Sequence, residues 1–475
     1  MSGRVLRDGD TIAAVATPPG PGGIGIVRVS GPLAPDLLRR LFRPARPGAG
    51  TAGRRLAYGW VVDPAAGEVV DEALAVLMPA PRSYTREDVL EFQCHSGPAV
   101  LRRVLELVLR EGARPAEPGE FTRRAFLNGR IDLAQAEAVL DLATARTEAQ
   151  RRSAAAGLRG DLERRLGPAR AALVQVRAEL EAAIDHPEED LDLAPPAELR
   201  RRLDEAVRRP VSALIRARRE GRVHREGARV VLAGRPNAGK SSLFNALLGE
   251  DRVIVTPVPG TTRDGVEETI SLGGIAVVLV DTAGIRAPAD EVETLGVARA
   301  KDRVRAADLV VWVLDGSRPP EAGDREVREA LPRDGRVFPV INKADLFPAG
   351  EETPVEAWLR GKAPPGLLPE DALPAPRVSA LTGLGLEDLR RRLEGRLLGG
   401  ATAPPPYVPN ARQAALLEQA EAALGRAVET LERGLPPEIT AVEVAEAAAR
   451  LDEIFGLDAG GDILDEIFGR FCIGK

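Results

Sequence analysis

RVVLAGRPNAGKSSLFNALLG, residues 229–249, runs in order through an apolar strand, a glycine-bounded loop and an amphipathic helix. It carries G-x-x-x-x-G-K-S as Gly234, Gly239, Lys240 and Ser241. Backbone N–H groups of such a loop and of the helix start cradle phosphates; the lysine reaches the outer phosphates and the serine ligates Mg²⁺. Asn237, Ala238 and Ser242 complete the phosphate-facing set. Because strand, loop and helix come in this order, a chance match is a poor explanation.

Further along, VFPVINKADL (337–346) follows a second apolar strand about a hundred residues on. Asp345 can accept two hydrogen bonds from guanine's ring N–H and amino group, which adenine does not present. Asn342 and Ala344 belong to the same loop, and the Lys343 stem can cover the base. Ser379, Ala380 and Leu381 in RVSALTG fit the last base-contacting loop. Two switch segments lie between: VTPVPGTTRDG with Thr256, Pro257, Val258, Pro259, Gly260, Thr261 and Thr262, and VDTAGIR with Asp281, Thr282, Ala283 and Gly284. Thr262 is expected as the second Mg²⁺ ligand after Ser241, Asp281 as the holder of a metal-bound water, and the Gly284 N–H as a contact to the γ-phosphate. These five elements imply a GTP-binding α/β domain of the Ras-like P-loop type.

A difficulty follows Gly284. Ile285 stands where small GTPases such as Ras carry the glutamine that orients the attacking water, and a hydrocarbon cannot do that work. RAPADEVETLG offers Asp290, Glu291 and Glu293 within one helical turn. Acidic residues are common at helix starts in any case, and spacing alone does not choose among the three.

The 475 residues exceed one compact core and imply several domains. Residues 1–125 alternate short apolar strands with Gly/Pro turns and read as α+β; 126–225 are helical and rich in Ala, Arg and Glu. Strand–helix alternation over 226–397 implies a parallel sheet, and 398–475 return to helix after the Pro-rich ATAPPPYVPN. The helical stretches then make one discontinuous domain into which the α/β segment is inserted. Gly20, Gly22 and Gly25 match a dinucleotide-binding spacing, but a β-like run follows them where that motif needs a helix. Cys94 and Cys472 are too few for a disulfide framework, and no stretch has the length of a membrane span, so a reducing, cytoplasmic setting is expected. Cys94 and His95, adjacent on a strand, point to opposite faces and make no nucleophile–base pair. A net charge of −6 excludes a generally basic nucleic-acid binder, and the arginine-rich runs are interleaved with acids.

GRPNAGKSS, PGTTRD, DTAGIR with DEVE, NKAD, GEFTRRAFLNGRIDLAQAEAV and the terminal FCIGK together resemble the MnmE (TrmE) family of tRNA-modification GTPases, from about residue 10 to Lys475. The resemblance implies a homodimer with an N-terminal folate-binding domain, a discontinuous helical domain and an inserted G domain. It also implies a heterotetramer with the FAD protein MnmG, FAD entering only through that partner. The pair would add a carboxymethylaminomethyl or aminomethyl group at C5 of the tRNA wobble uridine, a formyl- or methylene-tetrahydrofolate supplying the carbon. Among the acids, the resemblance selects Glu293 to orient the water. It places a stimulating K⁺ on Asn237, Thr256, Val258 and Thr261, and folate on Arg28, Glu91, Arg130 and Lys475. Cys472 lies near that folate as a candidate catalytic thiol. Pro257 and Pro259 depart from the family, which often has Asp and Ala there. The alternative is an Era- or EngA-like switch in ribosome assembly, with which the G motifs alone are compatible.

Overall fold

Among the described residues, seven strands open the chain: β1 (Ile12–Val15), β2 (Gly25–Ser30), β3 (Phe42–Pro44), β4 (Ala57–Val62), β5 (Val69–Met78), β6 (Val89–Cys94) and β7 (Arg114–Pro115). The computed structural model describes residues 9–46, 54–186, 194–251, 267–281, 302–347, 350–362, 373–399, 405–457 and 460–475. Two compact units emerge, one of residues 1–143, 157–211 and 415–475, the other of 144–156 and 212–414.

In the first unit the sheet order is β3-β4-β5-β6-β2-β1-β7. Strand alternation sends Val27, Val29, Leu90 and Phe92 into the core under α1 (Ala34–Leu41) and α2 (Pro98–Arg110). The same period turns Arg28 and Glu91 to the opposite face, and the β2/β6 register sets them directly across from each other. Ala14 of β1 is the next residue in that row, buried with Phe121. Gly25 begins β2, so a strand does follow the glycine-rich turn.

Helices α3 (Glu120–Leu127), α4 (Leu133–Thr144), α5 (Glu148–Leu158), α6 (Asp161–Asp185), α7 (Pro196–Arg202) and α8 (Arg209–Glu226) follow. Buried residues of α6 fall at 162, 166, 169, 173, 176 and 180, an alternating 4,3 spacing that holds one apolar stripe along the helix. The later helix over Pro437–Phe455 repeats it at 440, 444, 447, 451 and 454, and the two stripes pack together. No helix among the described residues is long and apolar enough to cross a membrane.

The second unit holds a five-stranded sheet from β8 (Ala228–Ala233), β9 (Glu267–Leu272), β10 (Ile275–Asp281), β11 (Leu309–Asp315) and β12 (Val337–Asn342), ordered β12-β11-β8-β10-β9. All neighbours are parallel except β10 and β9. β11, LVVWVLD, is buried at every position, as a strand covered on both faces must be. Around the sheet lie α9 (Lys240–Asp251), α10 (Ala322–Ala330), α11 (Pro354–Lys362) and α12 (Leu386–Leu398). α13 (Ala411–Glu432), α14 (Pro437–Phe455) and α15 (Gly461–Gly469) complete the chain.

Candidate functional sites

In the second unit, β8 ends at Ala233 and α9 starts at Lys240, so residues 234–239 form the loop between a central parallel strand and a helix N-terminus. Backbone geometry explains the glycines. Gly234 has φ +155 and Gly239 φ +90, and a Cβ at either would overlap its neighbour, Val313 O or Asn342 Nδ2. The Lys240 ammonium donates to the Gly234 and Arg235 carbonyls, both at 2.8 Å. Burial lowers its pKa, with Asp281 opposing the shift. A buried cation at a helix start is the electrostatic condition for a phosphate chain. Ser241 Oγ donates to Asp281 Oδ2 at 2.7 Å, which brings together the two oxygen-bearing groups expected near Mg²⁺. Asn237 sits exposed at φ +63, and Ser242 is exposed beside Ser241.

Asn342, at the end of β12, ties three loops together. Its Nδ2 donates to Ala238 O at 3.0 Å, and its Oδ1 accepts from the Ala380 N–H at 3.1 Å. Ala344 N–H donates to Val378 O at 2.9 Å, and the buried Ser379 hydroxyl accepts from Thr382 N–H at 3.1 Å. Asp345 is exposed on the 3₁₀ turn over 344–346, and Leu381 is 86% exposed on the neighbouring loop. Lys343 takes φ +66, and its ammonium donates to Asp315 Oδ2 at 2.7 Å. Asp315 escapes the sequence reading, because an aspartate at a strand end has many ordinary explanations. Burial would raise its pKa, but hydrogen bonds from Lys343, Ser317 and Arg318 outweigh that and lower it to about 2. Thr256, Pro257, Val258, Pro259, Gly260, Thr261, Thr262, Thr282, Ala283, Gly284 and Glu293 lie outside the described residues.

The first unit carries a second site. Arg28 Nε donates to Glu91 Oε1 at 2.8 Å, and Arg28 NH1 to Gly474 O at 3.3 Å. A cavity of about 240 Å³ is lined by Tyr84, Arg130 and Lys475 together with the apolar Val139, Leu142, Ala143 and Leu158. Tyr84 links the charged groups: the Arg130 guanidinium lies 4.6 Å from its ring centre and that of Arg28 5.8 Å away. Its hydroxyl shares a 2.9 Å hydrogen bond with Thr122 Oγ1. Thus Arg28 and Glu91 touch, Arg130 and Lys475 share a cavity, and Tyr84, which sequence reasoning missed, borders both pairs.

The terminal segment is fixed there by backbone fit. Gly119 N–H donates to Cys472 O at 3.4 Å, while Gly474, at φ +95, lies so close to Val15 O that a Cβ would overlap it. Cys472 is exposed and Cys94 buried, the latter thiol pushed up to about 12 by burial. Native protein therefore titrates one thiol with Ellman's reagent at pH 8, and unfolded protein two; two rapid thiols in the native state would contradict this burial. His95 is exposed, whereas Cys94 is buried, and it pairs through Nδ1 with Asp71 Oδ1 at 2.8 Å rather than with the thiol.

Comparison with known proteins shows the family of the chain. The family described as GTP-binding protein TrmE N-terminus matches residues 11–130, and the MnmE helical domain family matches residues 133–472. Two curated proteins named tRNA modification GTPase MnmE are 47% and 46% identical to this chain. The first, from Moorella thermoacetica, and the second, from Symbiobacterium thermophilum, each align over 98% of this chain and 99% of their own length. A third of that name, from Roseiflexus sp., is 48% identical at the same coverage.

Proposed function

The chain belongs to the MnmE family of tRNA modification GTPases, and from that premise we propose that it hydrolyses GTP to drive a folate-dependent modification at C5 of the tRNA wobble uridine. Residues 226–397 act as the G domain, 126–225 with 398–475 as the helical domain, and 1–125 as the folate-binding and dimerising domain. The protein works as a homodimer and joins MnmG, which brings FAD, in a heterotetramer.

At the phosphate loop, Asn237, Ala238, Gly239, Lys240, Ser241 and Ser242 receive the phosphates, with Ser241 and Thr262 as Mg²⁺ ligands and Asp281 behind them. When bound there, Mg²⁺ would supply charge neutralisation to the phosphates. Asp345, with Asn342, Lys343 and Ala344, reads guanine beside Ser379, Ala380 and Leu381. Residues 256–262 and 282–284 would contact the nucleotide, the Gly284 N–H at the γ-phosphate, and Asn237, Thr256, Val258 and Thr261 would hold K⁺. Glu293 orients the water that Ile285 cannot.

The observation that carries the folate assignment is the cavity beside Tyr84. A reduced folate combines a hydrogen-bonding pterin, an aromatic ring and an anionic tail. In the cavity Val139 and Leu142 offer an apolar wall and Arg130 and Lys475 offer cations to the tail. Glu91, outside that lining and held by Arg28, is the carboxylate we assign to the pterin's donors. Cys472 is the candidate thiol beside it. Calorimetry with 5-formyltetrahydrofolate tests the assignment on the whole protein. Wild type binds it. Gly474→Ala, which cannot keep the terminal segment against Val15, loses roughly tenfold or more in affinity, the cost of displacing one charged contact. Absence of binding by wild type sinks the folate assignment and leaves the GTPase intact. Membership of this family sets aside the ribosome-assembly alternative.

A further inference from the structure

We propose that Asp315 is a positioning residue for guanine recognition: its carboxylate holds the Lys343 ammonium, and so locks residues 343–345 in the conformation that presents Asp345 to the base. The inference rests on the reading of Asp345 as the guanine acceptor.

Asp315 is the last residue of β11, 3% exposed and directly across the parallel ladder from Asn342. Gly316 N–H donates to Asn342 O at 2.9 Å, so the two strand ends are joined before any side chain acts. The two carboxylate oxygens then divide the work. Oδ1 accepts from Ser317 N–H at 3.1 Å and from Ser317 Oγ at 2.6 Å, closing the local turn. Oδ2 accepts from Arg318 Nε at 3.1 Å and from Lys343 Nζ at 2.7 Å. The second of these crosses from one loop to the other.

Lys343 is one of four non-glycine residues at positive φ among those described, a conformation that an L-residue keeps only when its surroundings hold it. Residue 343 fixes where the next two residues go, and the turn continues with Leu346 N–H donating to Lys343 O at 3.0 Å. Pinning the ammonium at Asp315 restrains the lysine stem and the backbone it hangs from together. The residue type fits. Lysine's linear stem ends in a compact charge that can share the single oxygen Oδ2, whereas a guanidinium fork is built to engage both carboxylate oxygens, and Oδ1 is already taken by Ser317. The phosphate loop leans on the same carboxylate: Arg235 NH2 lies 3.8 Å from Asp315 Oδ2, and its NH1 donates to Glu321 Oε2 at 2.6 Å. Base-reading loop and phosphate loop therefore share one buried anion.

The bland alternative is that Asp315 only closes its own turn through Ser317. Release of mant-GDP from the full-length protein in stopped flow separates the two roles. Asp315→Asn and Lys343→Met each speed release roughly ten- to a hundredfold, the worth of one charged hydrogen bond. The double variant is no faster than the faster single one, because both substitutions break the same contact. Ser317→Ala, which removes the hydroxyl contact to Oδ1 and leaves Oδ2 untouched, releases at the wild-type rate. Wild-type release from Asp315→Asn, or rates that multiply in the double variant, overturns the proposal. If Asp315→Asn does not fold, Lys343→Met alone decides. Its apolar stem still covers the base, so wild-type release from it overturns the clamp and accelerated release supports it. Failure of wild-type protein to bind mant-GDP overturns the guanine reading itself, and the proposal with it.

Discussion

An Asp345→Asn variant is expected to bind GDP roughly 10²- to 10⁴-fold more weakly than wild type and to gain affinity for xanthosine diphosphate. The carboxylate accepts from two guanine N–H groups, and each charge-assisted hydrogen bond is worth about 1.5–3 kcal/mol. Asparagine keeps one acceptor and turns a donor toward the guanine amino group. Xanthine carries a carbonyl at that place, so the same amide fits it. The turn survives the change, since its backbone is held by Ala344 N–H on Val378 O and Leu346 N–H on Lys343 O, neither of which uses the Asp345 side chain. Equilibrium titration with fluorescent GDP, competed by either diphosphate, reads both affinities. GDP affinity within threefold of wild type would show that Asp345 does not read the base.

Glu293→Gln is expected to lower kcat for GTP hydrolysis roughly 10²- to 10⁴-fold, the range for a group that positions or deprotonates the nucleophile. Ile285 has no atom able to hold water, so the loss is not buffered by the residue after Gly284. The amide keeps the size of the side chain and removes its basicity, so affinity for GTP and GDP stays near wild type. Single-turnover hydrolysis with saturating enzyme separates chemistry from binding. A raised KM with unchanged kcat would make Glu293 a binding residue, and Asp290 or Glu291 would take its place as the water-orienting acid.

The phosphate loop was readable in the sequence because its spacing is its geometry. Gly234, Gly239, Lys240 and Ser241 are neighbours in the chain and in space, and each glycine answers a contact within the same fold unit. The strand expected to carry both Cys94 and His95 ends at Cys94, and burial of the thiol with exposure of the imidazole is what separates them. The folate set was different. Arg28, Glu91, Arg130 and Lys475 come from four separate segments, and only family resemblance gathered them; the β2/β6 register then supplied the physical reason for the Arg28–Glu91 pair. Tyr84 and Asp315 stayed hidden because their roles depend on what approaches them. Tyr84 sits in a loop whose meaning comes from Arg28, Arg130 and Thr122 converging on it. Asp315 ends an apolar strand, a common place for an acid, and only the Lys343 contact distinguishes it. The helical stripe at 162, 166, 169, 173, 176 and 180 was present in the sequence as well, diluted by a background in which alanine occurs on every face.

Mass spectrometry of tRNA nucleosides decides whether this protein modifies wobble uridine, comparing cells with and without this gene and cells carrying an Arg28→Ala copy. The C5 aminomethyl-type group is expected to disappear from wobble uridine without the gene and to stay depleted with Arg28→Ala. Unchanged wobble nucleosides in the deletion strain would contradict it, leaving a GTP-binding protein whose hydrolysis serves some other end.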